Sequence, residues 1–171
     1  MKLLLKSIYK NTNIQINLVL LIKAASFMLL FTGCQEELCE ELTENPLRVG
    51  FYIEENGENI PVEIDSMSVV GIGKEELLYD DTNVGMLELP LDVSRDSCGF
   101  KFYFPQKTDT LKVYYERNLS LVSIECGFVT FFEILDLEMT NNVIKSYSIE
   151  EPNITNVNEE HIFLTVYPDF D

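Results

Sequence analysis

The 171-residue chain has no tryptophan and a single histidine, and its 12 basic residues stand against 29 acidic ones. Each shortage excludes something. Without Trp, the best flat platform for stacking on a sugar ring is missing. One histidine, His161, cannot build a metal triad, and no Ser sits in a G-x-S-x-G elbow, so the common nucleophilic hydrolases are not written here. So few Lys and Arg exclude nucleic acid as a partner and disfavour peripheral attraction to anionic membrane surfaces. None of the four cysteines has a C-x-x-C neighbour, which argues against a thioredoxin-like or zinc site. The acidic pairs Asp80-Asp81, Asp136-Leu137-Glu138 and Asp169-Phe170-Asp171 lack the spaced ligands and central Gly of a calcium loop. No metal and no cofactor are expected.

What is present begins with an address. Residues 1–33 hold Lys2, Lys6, Lys10 and Lys23 and no acidic residue. An apolar stretch, Ala24 to Phe31, follows Lys23 and ends at Thr32-Gly33-Cys34. A basic start, a short apolar core and small residues before a cut are the parts of an export signal. The stretch is far short of the roughly 20 residues that span a bilayer. The cut site resembles a lipobox, with Phe31 where Leu is commonest. Cys34 is therefore expected to be the lipid-modified first residue of the mature protein. Its thiol would carry a diacylglycerol and its amine a further acyl chain, which together hold a protein on a membrane. Gln35-Glu36-Glu37 resembles the short acidic signal that sends lipoproteins of the Bacteroidota to the outer face of the outer membrane. Surface display is the expectation, with a periplasm-facing lipoprotein as the alternative.

Four of the 12 basic residues leave with the signal, so 8 face 29 acids and the mature charge is −21. The 138 residues that remain suit one domain. Residues 34–46 are polar and acidic and read as a tether. Residues 47–171 read as an all-β, immunoglobulin-like sandwich of about 7–9 short antiparallel strands.

The period is two almost throughout. Leu47, Val49, Phe51 and Ile53 alternate with polar or small residues, and Asn56-Gly57 supplies a hairpin turn. Met67 and Val69 mark a second strand. Leu87, Leu89, Leu91 and Val93 mark a third, placed at an edge because Pro90 cannot donate to a ladder. Phe100, Phe102 and Phe104 share a phase with Cys98. Further strands are expected at Leu111–Tyr115, Leu119–Ile124, Phe128–Ile134, Val143–Ile149 and Ile162–Val166. Turns are expected at 79–83, 94–97, 105–109 and 140–142, and a polar loop at 150–160. Most of the eleven Phe fall in the inward phase and read as core. His161, beside Glu159-Glu160, reads as a surface residue.

With Cys34 committed to lipid, Cys39, Cys98 and Cys126 remain. Three thiols in an oxidising compartment imply one disulfide and one thiol left over. A bridge from Cys39 to either partner would clip the tether to the domain, worth roughly 3–5 kcal/mol in the chain-entropy model. Asp65-Ser66-Met67 and Asp109-Thr110-Leu111 resemble O-glycosylation sites of the Bacteroidota, with Ser66 and Thr110 as acceptors.

Several fragments in order carry a wider resemblance. They are Cys39, Pro46 and Phe51-Tyr52, then Asp65 to Gly73, Leu89-Pro90-Leu91 and Asp109-Thr110-Leu111. Ser123-Ile124-Glu125-Cys126-Gly127-Phe128 with Phe131-Phe132, Pro152-Asn153-Ile154 and Asn158 to Ile162 complete the set. Together they resemble an uncharacterised family of Bacteroidota lipoproteins catalogued as domain of unknown function 6452, over nearly all of residues 34–168. The resemblance implies a Cys39–Cys126 bridge and leaves Cys98 free on the phenylalanine face. It implies no activity.

The expected function is a non-catalytic, lipid-anchored sandwich that binds a partner at the outer membrane, such as an envelope β-barrel. A glycan-binding accessory lipoprotein is the alternative and would need a pair or triad of exposed Tyr. A small hydrolase would need two carboxylates, or His161 with one, converging in a cleft.

Overall fold

A computed structural model describes residues 45–124 and 126–168 of the chain. Eleven strands run through them: β1 (Leu47–Glu55), β2 (Glu58–Pro61), β3 (Ile64–Gly71), β4 (Leu77–Val84), β5 (Met86–Leu89), β6 (Ser97–Tyr103), β7 (Thr108–Ser123), β8 (Gly127–Met139), β9 (Ile144–Ile149), β10 (Asn153–Ile154) and β11 (Ile162–Val166). They form two sheets. One has the order β2-β1-β11-β9, with β5 also paired to β1; the other has the order β10-β8-β7-β6-β3-β4.

The alternation explains why these sheets stack. Leu47, Val49 and Phe51 of β1 and Ile162, Leu164 and Val166 of β11 turn inward. From the other sheet Met67, Val69, Phe100, Phe102, Leu111, Val113 and Tyr115 meet them in one cluster. The contact is direct: the Phe51 and Phe102 rings meet edge to face, their centroids 6.4 Å apart. The architecture is a two-sheet β-sandwich, as the period-two pattern implies.

β1 is the hub of the first sheet. Asn56 (φ 55°) and Gly57 (φ 83°) both take positive φ, the requirement of the type I′ turn that folds β2 back onto β1. On the same edge β5 pairs with Leu47–Gly50, and Phe51 marks the change of neighbour. Its N–H donates to the Gly85 carbonyl and its own carbonyl accepts the Val62 N–H.

Six expectations need correction. The described strands number eleven, not 7–9, and they are not all antiparallel, because β1 and β11 run parallel. The segments Leu111–Tyr115 and Leu119–Ile124 belong to a single 16-residue strand, β7, apart from Ile124, which lies just beyond its end. Polar residues 116–118 looked like a break because the strand leaves the core there while its ladder to β8 continues. The 79–83 cluster is not a turn but the middle of β4, an edge strand whose register against β3 shifts repeatedly, with Asp81 at φ 43°. The strand expected through Leu87 to Val93 stops at Leu89: Pro90 has no N–H, and Val93 is exposed. The 150–160 loop contains the short strand β10, paired to β8.

At one end a buried carboxylate organises the chain. Asp109, fully buried, accepts the Thr140 hydroxyl (2.6 Å) and the backbone N–H groups of Asn142 (2.8 Å), Val143 (2.7 Å) and Ile144 (3.0 Å). Burial pushes its pKa up, but these donors outweigh burial and hold it below the ordinary carboxylate value. The β8–β9 connection is shaped around this side chain.

Candidate functional site

His161 is the residue most able to do acid–base chemistry, and it is not at the surface. It is 1% exposed, a correction to the expectation. Its Nδ1 accepts the Arg48 backbone N–H at 2.9 Å, and its own N–H donates to the Arg48 carbonyl at 3.0 Å. Together the two bonds zip β1 to the residue that leads into β11. Burial, then the Arg48 charge, push the imidazole down to about 4, so it is neutral at physiological pH. Arg48 is held in turn by Glu88 (3.0 Å) and the Val157 carbonyl (3.0 Å). Beside them Tyr52 donates to Glu160 and stacks on Phe163, with ring centroids 4.1 Å apart. Gly50 makes room for this: a Cβ there would lie 2.8 Å from the Glu160 carboxylate. The cluster is a brace, with its titratable groups already engaged.

Cys98 lies half-buried on the phenylalanine side of β6, as a free thiol packed against the core. Burial pushes the thiol up to about 11, leaving almost no thiolate at neutral pH. The Tyr115 hydroxyl donates to the Asp92 carbonyl at 3.0 Å. Above it opens a cleft of about 1060 Å³ lined by Ile72, Leu77 and Leu78 and by Lys74, Arg95 and Lys112, among others. The three leucine and isoleucine side chains are exposed. Three of the eight basic residues beyond position 33 gather here, against two carboxylates, Glu76 and Asp92. In so acidic a chain this is a local reversal of charge.

The third feature is the distal half of the β7–β8 hairpin. β6 stops pairing with β7 at Tyr114, and β10 reaches β8 only at Phe132 and Glu133. Beyond those points, among the described residues, the two strands pair only with each other. Leu119 and Leu121 lie across from Thr130 and Phe128 on the face that continues the core side, yet the three apolar side chains are exposed. Ile124, at the tip, is 92% exposed and Phe128 65%. Cys126 at the tip is disulfide-bonded.

The remaining expected site residues separate cleanly. Cys34, Gln35, Glu36, Glu37 and Cys39 lie outside the described residues. Ser66 is exposed, at φ 52° in β3. Thr110 is partly buried in β7, and its N–H donates to the Thr140 hydroxyl. Among the described residues no group of three or more His, Cys, Asp or Glu could hold a metal ion. No described helix is long and apolar enough to cross a membrane. Two features escaped sequence reasoning. The Asp109 anchor sat inside a glycosylation-like tripeptide. The basic cleft is assembled from residues far apart in the chain and has no local signal.

Residues 66–166, more than half of the chain, match the model of a family of unknown function (DUF6452). Neither the curated proteins nor the solved structures contain a match.

Proposed function

The chain belongs to this family, and for it we propose a non-catalytic β-sandwich, anchored by lipid on Cys34 at the outer membrane, that binds an envelope partner. The cleft beside Cys98 supports this reading best. It offers exposed apolar walls and clustered cations, a chemistry suited to a partner segment with apolar side chains flanked by carboxylates. Catalysis finds no support in the two best candidates. His161 spends Nδ1 on a backbone amide, and Cys98 is protonated.

The immunoglobulin-like kind of sandwich, the signal at residues 1–33, the tether at 34–46 and the origin in the Bacteroidota belong to the same proposal. So does surface display through Gln35-Glu36-Glu37. We pair Cys39 with Cys126. Asn45 donates through Nδ2 to the Thr130 carbonyl at 3.0 Å, which fixes the chain's entry on β8. Six residues of chain upstream of Asn45 cover about 20 Å, and four residues of β8 separate Thr130 from Cys126, about 13 Å. Of the two glycosylation-like sites, Ser66 is the accessible one.

The glycan-binding alternative gains little. Of the exposed tyrosines among the described residues, Tyr103 lies on β6 of one sheet and Tyr147 and Tyr167 on or beside β9 and β11 of the other, and none of them is in ring contact with another.

A photo-crosslinking residue at Leu78 in intact cells tests the proposal. It should capture a defined envelope protein, and Arg95→Glu with Lys112→Glu should abolish the capture. Recovery of no envelope protein, or capture indifferent to those charges, overturns it.

A further inference from the structure

The β7–β8 ribbon carries an inference of its own, which rests on the lipid anchor at Cys34 proposed above. Its apolar side chains are out of place by the rules that shape the rest of the fold. Residues 118–132 contain one charged side chain, Glu125, in a chain where about a quarter of residues are charged. Leu119, Leu121 and Phe128 extend the inner face of the second sheet beyond any described strand of the first, and Ile124 crowns the tip. Exposed apolar side chains on one face of such a ribbon contribute nothing to its stability in water.

The entry point of the chain bounds how far the anchor can lie from the ribbon. Asn45 is pinned to Thr130, on the ribbon itself. Eleven residues separate it from Cys34, a reach of at most about 40 Å. If Cys39 is bound to Cys126, only five residues remain, or about 18 Å between the ribbon tip and the acyl chains.

Charge differs between the ribbon and the far turn. The β1–β2 turn lies at the opposite end, since Glu54 of β1 pairs with Lys145 (2.8 Å), next to Ile144 on the Asp109 carboxylate. Residues 53–63 around that turn hold Glu54, Glu55, Glu58 and Glu63 and no cation. The ribbon itself is apolar and carries one charge, while the tether that leads to it holds five glutamates; the turn at the far end is acidic and holds no cation.

We propose that the tip of the β7–β8 hairpin, through Leu119, Leu121, Ile124 and Phe128, dips into the lipid surface beside the anchor. The occupant of the exposed face is the bilayer interface. Such insertion gives the domain a fixed orientation, with the β1–β2 turn pointing away from the membrane. A lipid chain alone would leave it swivelling.

Because the chain has no Trp, Phe128→Trp creates a sole tryptophan reporter at the tip, and Asn59→Trp creates one on β2 at the far end. The full lipidated protein is reconstituted into vesicles of phosphatidylethanolamine, phosphatidylglycerol and dibrominated phosphatidylcholine, with palmitate labelling of Cys34 measured in parallel. Insertion predicts that Phe128→Trp emits to the blue and loses most of its emission to the bromines. Asn59→Trp should keep its emission. Adding Leu121→Ser and Ile124→Ser to Phe128→Trp should restore emission. An unquenched Phe128→Trp in labelled, vesicle-bound protein overturns the inference and leaves the anchor standing. Blue-shifted but unquenched emission overturns it too, by showing that protein, a second copy or another chain, covers the tip. Absence of palmitate label removes the anchor, and the inference with it.

Discussion

At one end of the sandwich a carboxylate is fully buried and surrounded by donors; at the other, an isoleucine and a phenylalanine stand in the open. The Asp109 end follows the ordinary rule that a buried charge must be fully hydrogen-bonded. The ribbon end breaks the complementary rule, that apolar side chains gather inside. The first arrangement contributes to stability and the second does not, so substitutions at the two ends should separate folding from attachment.

The largest effect is expected from Asp109→Ala. It strands the Thr140 hydroxyl and three backbone N–H groups, and should cost about 3 kcal/mol or more in urea denaturation. A loss under about 1 kcal/mol would break the contrast between the ends. Next comes acid. Both Asp109 and His161 have folded pKa values below their unfolded ones. Each contribution is present above the unfolded pKa and lost as pH falls through the folded one. For His161 the window runs from about 6.5 down to about 4, with on the order of 3 kcal/mol at stake. Stability measured across that window should fall in the native protein and be flatter in His161→Gln. Equal slopes would assign the acid sensitivity elsewhere.

Gly50→Ala should cost less, about 1–2 kcal/mol, since the new methyl displaces the Glu160 carboxylate and the Tyr52 ring. The smallest stability change belongs to the tip. Ile124→Ser with Phe128→Ser removes exposed side chains and should change the unfolding free energy in urea by no more than about 0.5 kcal/mol. A large destabilisation there would mean that the ribbon is packed against something and would erase the distinction between the two ends.

Much of the sandwich could be read along the chain because half-buried strands repeat every two residues. The Asn56-Gly57 turn, the inward phenylalanines of β6 and the strand at Ile162–Val166 were visible for that reason. β4 was not, because its bulges and Asp80-Asp81 give an edge strand the composition of a turn. The length of β7 was hidden because alternation reports burial, and its ladder outlasts its burial. Of the candidate sites, the free thiol at Cys98 followed from the family resemblance. The basic cleft around it did not, since Lys74, Arg95 and Lys112 lie on separate segments.

The sequence by itself determined the all-β class, the acidic surface, the shortage of catalytic side chains and the turn that opens the first sheet. These follow from composition and from contacts between near neighbours. Only the tertiary structure decided that β1 lies parallel to β11, that His161 is buried and that Asp109 is an anchor. His161 sits among acidic neighbours, and nothing beside it announces that its imidazole will meet the Arg48 amide, 113 residues away. Such a partner is supplied by the fold, where a buried nitrogen must find a donor and the closing of the sheet brings one to it.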